Sequence, residues 1–205
     1  MGGGAPTAFA VPITPGQEAA TTGNVPPGAI VMDVVRTVTM KEDPGWGSDS
    51  YTLTVLDRVI QLADNTYDFA CRVENTDAQE RTPYFVWRTG FAPYTTDADY
   101  LPVTLNGVSY PAEVFRSTLG QDNGDTVGFT DFSAGIPPTY NTDNLDVTTN
   151  ATNYALTGTL TIQTAVVDGP DYNGSVAVYA PAVPEPASLG LLAVGSVGLL
   201  LRRRK

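Results

Sequence analysis

Histidine is absent from the 205-residue chain, and cysteine occurs once, at position 71. The first absence excludes Ser-His-Asp triads, Cys-His nucleophiles, zincin helices and histidine-ligated metals. The second excludes an intrachain disulfide framework and any multi-thiolate metal centre. Basic residues are scarce too, 11 against 22 acidic, for a formal net charge of −11. Four of those 11 are the last four residues, Arg202, Arg203, Arg204 and Lys205. A body left this acidic repels phosphate backbones, so no nucleic-acid partner is expected. The length suits one domain with tails, large enough to bury a sizeable core.

The most informative stretch is the C-terminal one, residues 181–205. A Pro-rich spacer contains Pro184, Glu185 and Pro186. Residues 187–201 follow without a charge or a proline. As a helix those 15 residues span roughly 22 Å, short of the ~30 Å hydrocarbon core. Arginine stems that snorkel lengthen the usable span. The basic tip, Arg202 to Lys205, places that end in the cytoplasm by the positive-inside rule, so the body lies across the membrane. Pro-Glu-Pro, an uncharged helix and a basic tip, in that order, resemble the PEP-CTERM sorting signal of exported bacterial surface proteins. The resemblance implies processing by exosortase, a membrane-embedded cysteine transpeptidase, near the Pro-Glu-Pro motif. It also implies delivery to the cell surface, often alongside exopolysaccharide and biofilm functions. The short helix favours a transient anchor in the inner membrane over a permanent one.

An exported chain needs a secretory signal. Residues 1–10 lack a basic n-region and a long apolar stretch. Ala8-Phe9-Ala10 nevertheless reads as a small-x-small cleavage site before Val11, with Ala8 and Ala10 as the small residues. Residues 1–10 are therefore expected to be the remnant of a signal peptide whose start codon was assigned too late. Residues 11–29, rich in Thr, Pro, Gly and Ala, are expected to be a flexible lead-in.

The body, residues 30–180, reads as all-β. Tyr67, Phe69, Cys71 and Val73 alternate with Asp68, Arg72 and Glu74. Tyr154, Leu156, Leu160, Ile162 and Val166 share a face opposite Thr157, Thr159, Thr161 and Gln163. This is the period of half-buried antiparallel strands. Tyr51, Leu53 and Val55 alternate in the same way, and the acid at Asp57 suggests a phase slip and a bulge. Asn106-Gly107 predicts a two-residue type I′ hairpin pairing Leu105 with Val108, Thr104 with Ser109 and Val103 with Tyr110. Further turns are expected at Asp43-Pro44-Gly45, Asp64-Asn65, residues 122–125, 136–138 and 168–170. The expected fold is a single antiparallel β-sandwich or jelly roll, followed by the short C-terminal transmembrane helix.

Catalytic residues are not selected by any spacing. Cys71 lies on an apolar face and reads as a core residue. A carboxylate glycosidase needs two acids at a fixed separation, and Asp57, Asp68, Glu74, Glu80 and Glu113 are the strand-borne candidates. Calcium wants several oxygens from a loop. Asp122, Asp125, Asp143 and Asp146 are the weak candidates, equally explained by turn chemistry, so no cofactor is expected beyond that calcium option. Among Trp46, Trp87, Tyr84, Tyr94 and Tyr100, which could stack on sugars if exposed, Trp46 follows a turn and is the better candidate for exposure, with core or local packing the favoured reading for the set. Trp87 is expected in the core. The functional expectation is a non-enzymatic structural or adhesive protein of the biofilm or exopolysaccharide matrix. Its partners would be exosortase, the secretion machinery and exopolysaccharide, with the membrane as a temporary one. The alternatives are a carbohydrate-binding module, calcium-assisted or not, and a carboxylate-dependent glycoside hydrolase.

Overall fold

A computed structural model describes residues 11–20, 27–76, 82–100, 104–105, 108–109, 113–117, 124–130, 136, 141–142, 144–164 and 171–182. In chain order the strands are β1 (Val11–Ile13), β2 (Glu18–Ala20), β3 (Ala29–Glu42), β4 (Ser50–Gln61), β5 (Tyr67–Glu74), β6 (Pro83–Arg88) and β7 (Thr96–Tyr100). They continue with β8 (Thr104–Leu105), β9 (Val108–Ser109), β10 (Glu113–Arg116), β11 (Val127–Thr130), β12 (Leu145–Thr149), β13 (Tyr154–Thr164) and β14 (Tyr172–Pro181). Twelve of them form one antiparallel sheet in the order β1-β7-β12-β5-β4-β3-β14-β13-β6-β11-β10-β2. The all-β expectation stands. The C-terminal helix expected at 187–201 lies outside the described residues, among which no helix is long and apolar enough to cross a membrane.

Two joints make this sheet barrel-like rather than two separate layers. At one, β3 and β14 pair only through Glu42↔Tyr172 and Lys41↔Asn173. At the other, β1 and β2 are successive pieces of one segment. The first pairs with β7 and the second with β10, so a single turn nearly closes the sheet. That turn is fixed by Gln17 N donating to Thr14 O and Gly16 N donating to Arg116 O. Residues 11–20 are thus strand and turn, not the flexible lead-in that composition suggested. Three-residue strands are too short for an alternation pattern to register. Arg116 holds the nearby loop as well, donating to the carbonyls of Gly124, Phe91 and Tyr94 at 2.7–3.0 Å.

Alternation drives the core. Tyr51, Leu53, Val55 and Val59 of β4 turn inward with Phe69, Cys71 and Val73 of β5 and Leu160 and Ile162 of β13. Asp57 keeps this phase. It is fully buried on the inner face, and the β3–β4 and β4–β5 registers run through it unbroken. The expected bulge is therefore elsewhere. One register shift falls between Ile30 and Met32, a second between Ala155 and Gly158 on the β14 side of β13, and a third between Gln163 and Thr164 on its β6 side. The second shift turns Leu156 outward, 51 % exposed, instead of onto the face of Leu160 and Ile162. Gly158 is needed there, because a Cβ would stand 2.7 Å from Thr89 O and 2.8 Å from the Ala180 Cβ.

Asp57 occupies a core position because three donors reach it. Arg88, fully buried on β6, donates from Nη2 to Asp57 Oδ1 at 2.9 Å. Arg36 of β3 donates from Nε to Oδ2 at 2.9 Å, and Tyr179 N of β14 donates to the same oxygen at 3.0 Å. Arg88 also donates to Tyr179 O at 2.7 Å and to Phe69 O at 3.2 Å. Both backbone groups of Tyr179 are thus satisfied by side chains at the point where β14 has parted from β3.

The Asn106-Gly107 reading holds in register, with Leu105↔Val108 and Thr104↔Ser109 paired; Val103 and Tyr110 lie outside the described residues. Asp43-Pro44-Gly45 and Asp64-Asn65 are turns, with Gly45 at φ 112 and Asn65 at φ 65. The expected stability test targets the buried ion pair. Asp57→Ala leaves Arg88 buried and uncompensated, which costs about 3–5 kcal/mol. Urea unfolding with an unchanged m-value measures it, and a loss below about 1 kcal/mol, typical of a surface pair, would refute the assignment.

Candidate functional site

The second set of buried acids lies on the opposite, outward-facing side of the β7–β12–β5 portion of the sheet. Register fixes the arrangement. Asp97 of β7, Thr148 of β12 and Asp68 of β5 stand in one row, and Asp99, Asp146 and Ala70 in the next. Asp68 and Asp146 are therefore diagonal neighbours, within reach of one another. An outward face normally meets water, yet Asp68 and Asp99 are fully buried and Asp146 is 1 % exposed. Arg58, next along the second row beyond Ala70, does not neutralise them, because its guanidinium pairs with Asp33 at 3.0 Å.

Both oxygens of Asp68, both of Asp146 and the Thr148 hydroxyl are buried without a hydrogen-bond partner. Burial pushes the Asp68 carboxyl up to about 6, with Asp146, Arg88, the Phe69 backbone and Thr148 acting the other way. Burial, followed by the neighbouring charges of Asp68 and Asp99, pushes Asp146 up to about 9. Two acids in contact titrate as one unit, and burial favours the form that keeps a proton between them. Beside the pair lies a hollow of about 230 Å³ lined by Leu62, Asp64, Thr66, Thr95, Asp97, Thr148, Thr149 and Asn150. Burial also raises Asp97.

Asp68 was expected as a strand-borne acid and Asp146 as a loop-borne calcium ligand. The structure places the latter inside β12 and brings the two together. Asp125 does something else, accepting the Ala92 N–H at 3.1 Å. Asp57 is locked between arginines, Glu113 is exposed on β10, and Glu74 ends β5. Asp122, Asp143 and Glu80 lie outside the described residues, as do Ala8, Ala10, Pro184, Glu185, Pro186 and Arg202 to Lys205. Among the described residues no three acidic or thiol side chains form a metal-holding group. Asp99 had no signal in the sequence beyond its i, i+2 spacing from Asp97, which reads as a solvated strand face.

Cys71 is in the core, and burial pushes its thiol up to about 12, so it is inert as a nucleophile. Trp46, the better candidate for exposure, is 67 % exposed rather than packed away. Trp87 departs from expectation. Val86 and Arg88 take the inner face of β6, leaving Trp87 half-buried on the outer one, stacked on Phe85 with centroids 5.7 Å apart and planes 4° from parallel. Gly128, opposite Trp87 on β11, makes room for that ring and for Phe115. A Cβ there would come within 2.7 Å of Trp87 and 2.2 Å of Phe115.

Residues 182–205 match the family model of the PEP-CTERM protein-sorting motif. The chain carries a PEP-CTERM sorting signal. That signal implies export, sorting to the cell surface or exterior, and exosortase as the processing partner. No curated protein and no solved structure matches the chain.

The carboxyl pair sets a pH dependence. Both folded-state values lie above the ordinary 3.8, so the native state holds protons that the unfolded chain releases. In metal-free buffer, stability is greatest below about pH 4 as far as this pair is concerned. It falls as pH rises through about 6 and on towards 9. Urea midpoints across that window should decline, and Asp146→Asn should flatten the decline. A wild-type midpoint that climbs throughout would refute the pairing.

Proposed function

We propose that this chain is an exported cell-surface or extracellular-matrix protein whose β-domain serves a structural or adhesive role in the biofilm or exopolysaccharide matrix. The observation that carries the reading is the sorting motif over residues 182–205, joined to an all-β body. Residues 187–201 act as a transient inner-membrane span, left behind when exosortase acts near Pro184-Glu185-Pro186. The β-domain is a single, nearly closed, barrel-like antiparallel sheet. Two surface features are what the adhesive reading rests on. Threonines pair across β3 and β4 as Thr37↔Thr54 and Thr39↔Thr52. Ile30, Val31 and Val35 are exposed on β3, Val35 by 68 %, while β14 pairs with that strand at one end only. No catalytic step is assigned. In support, the described acids are locked in ion pairs, spread apart, or in contact as Asp68 and Asp146 are. A glycosidase holds its two acids roughly 5 Å or more apart.

The outer-face aromatics favour a second reading, a carbohydrate-binding module. Phe85, Trp87 and Phe115 form a row on β6 and β10, bordered by Thr161 and Gln163 of β13 and by Ser175 of β14, which hydrogen-bonds Thr161 at 3.0 Å. Flat rings beside hydroxyls suit stacking on sugars. Trp87→Ala should weaken retention on matrix polysaccharide about tenfold, ~1.4 kcal/mol, with Trp46→Ala as the comparison. Equal retention by both variants and the wild type would remove this reading.

Sorting is tested by the intact mass of the protein from its native cells. The expected species ends near Pro184 and begins at Val11. A species still ending at Lys205 would make the tail a permanent anchor and defeat exosortase processing.

A further inference from the structure

We propose that Asp68, Asp146 and the Thr148 hydroxyl form a binding site for one hard divalent cation, calcium, on the outward face of β5 and β12. Five oxygens lie there, all buried and none with a well-formed hydrogen bond, although Asp146, the Thr148 hydroxyl and the Phe69 backbone stand close enough to Asp68 to influence it. Four of them belong to carboxylates, which in ionised form only accept. Buried polar atoms in native proteins are almost always satisfied, so five orphans in one place need an occupant. A single shared proton joins only two carboxylate oxygens, and the threonine hydroxyl can donate to one more. That leaves an oxygen unmet and a negative charge buried beside Asp99. A calcium ion instead takes six to eight oxygens at once and cancels two charges.

The surroundings fit an ion of modest affinity. The chain supplies two carboxylates and a hydroxyl, not a cage of three acids. The hollow of about 230 Å³ shares Thr148 as a wall and is bordered by Asp64, Asp97 and Asn150. It gives an approach lined with negative charge on the Thr148 side, though Asp68 and Asp146 themselves do not line it. Irregular ligand sets with several waters suit calcium, whereas magnesium demands a near-ideal octahedron and dehydrates reluctantly. The choice of ion also rests on the export reading, since extracellular modules bind calcium with constants on the order of 10⁻⁴–10⁻³ M. The geometry of the site does not depend on that reading.

The test is calorimetric titration of calcium chloride into the full-length protein, with thermal unfolding in parallel. The expected result is one equivalent bound with a constant in that range and a saturable rise in Tm. Asp68→Asn combined with Asp146→Asn should abolish both responses. Two asparagines can bond to each other, so this variant is expected to fold and to be the more stable form without calcium. Thr148→Val keeps both acids and should weaken binding about tenfold, which leaves a readout should the double variant fail to fold. Absence of heat and an unchanged Tm, in a protein whose stability still declines with rising pH, would overturn the proposal and leave a proton-sharing pair. Binding that survives unaltered in Thr148→Val and in the double variant would overturn it by placing the ion elsewhere. An equal response to magnesium would overturn the choice of calcium. None of these results depends on how the chain ends in its native cells, so failure here and failure of the sorting reading are distinguishable.

Discussion

The fold depends on how one strand is allowed to leave another. β14 pairs with β13 along most of its length but touches the β3 ladder at only two residues. Where it parts from β3, Tyr179 presents a backbone donor and acceptor towards the interior, with no strand to meet them. Unpaired buried backbone groups are among the costliest faults a core can contain. Asp57 and Arg88 remove the fault from opposite sides of the barrel, the carboxylate taking the N–H and the guanidinium the carbonyl. The β13 register shift on the β14 side falls opposite the same residue. Bulge, parting strand and ion pair are one device, and it lets a single sheet bend almost closed.

That device also sets the electrostatics of the other face. Arg88 lies beneath the sheet and is attractive to Asp68 and Asp146 through it, but its two Nη groups donate to Asp57, Phe69 and Tyr179, and its buried Nε has no hydrogen-bond partner. Arg58, whose position would suit the outer acids, is held by Asp33. Inside the barrel two arginines serve one aspartate. Outside it, neither Asp68 nor Asp146 has an arginine at hydrogen-bonding range among the described residues. The imbalance is local and deliberate in its placement, since a chain with so few basic residues has used two of them on Asp57.

Much of this was legible in the sequence, and the rest was hidden for definite reasons. Alternation identified the inner residues of β4 and β5, and Asn106-Gly107 fixed a register, because those signals depend only on neighbours along the chain. Asp57 misled, since an acid on an apolar face reads as a slipped phase until its partner, 31 residues away, is known. Trp87 misled in the opposite sense. Tyr84-Phe85-Val86-Trp87 is apolar on both faces, and only the burial of Arg88 shows that Val86, not Trp87, looks inward. Asp68 and Asp146 were each singled out, but for different roles, because nothing in a one-dimensional pattern says that β5 and β12 are neighbours. The sorting motif was legible in full, since such a signal is a linear run of residues.

The outer acids and the destination of the chain bear on each other. A buried carboxyl pair settles its charge with whatever the compartment supplies. Where calcium is scarce a proton is the available partner, and the pair remains incompletely neutralised. On the calcium proposal, an ion bound to the same oxygens beyond the membrane would turn its binding free energy into folding free energy. On that proposal the domain would be loosest before export, when a chain must still be threaded, and tightest where it has to persist. On this argument the two acids need no catalytic task to justify their burial. Their cost to the folded domain is greatest on the side of the membrane where it is not meant to stay.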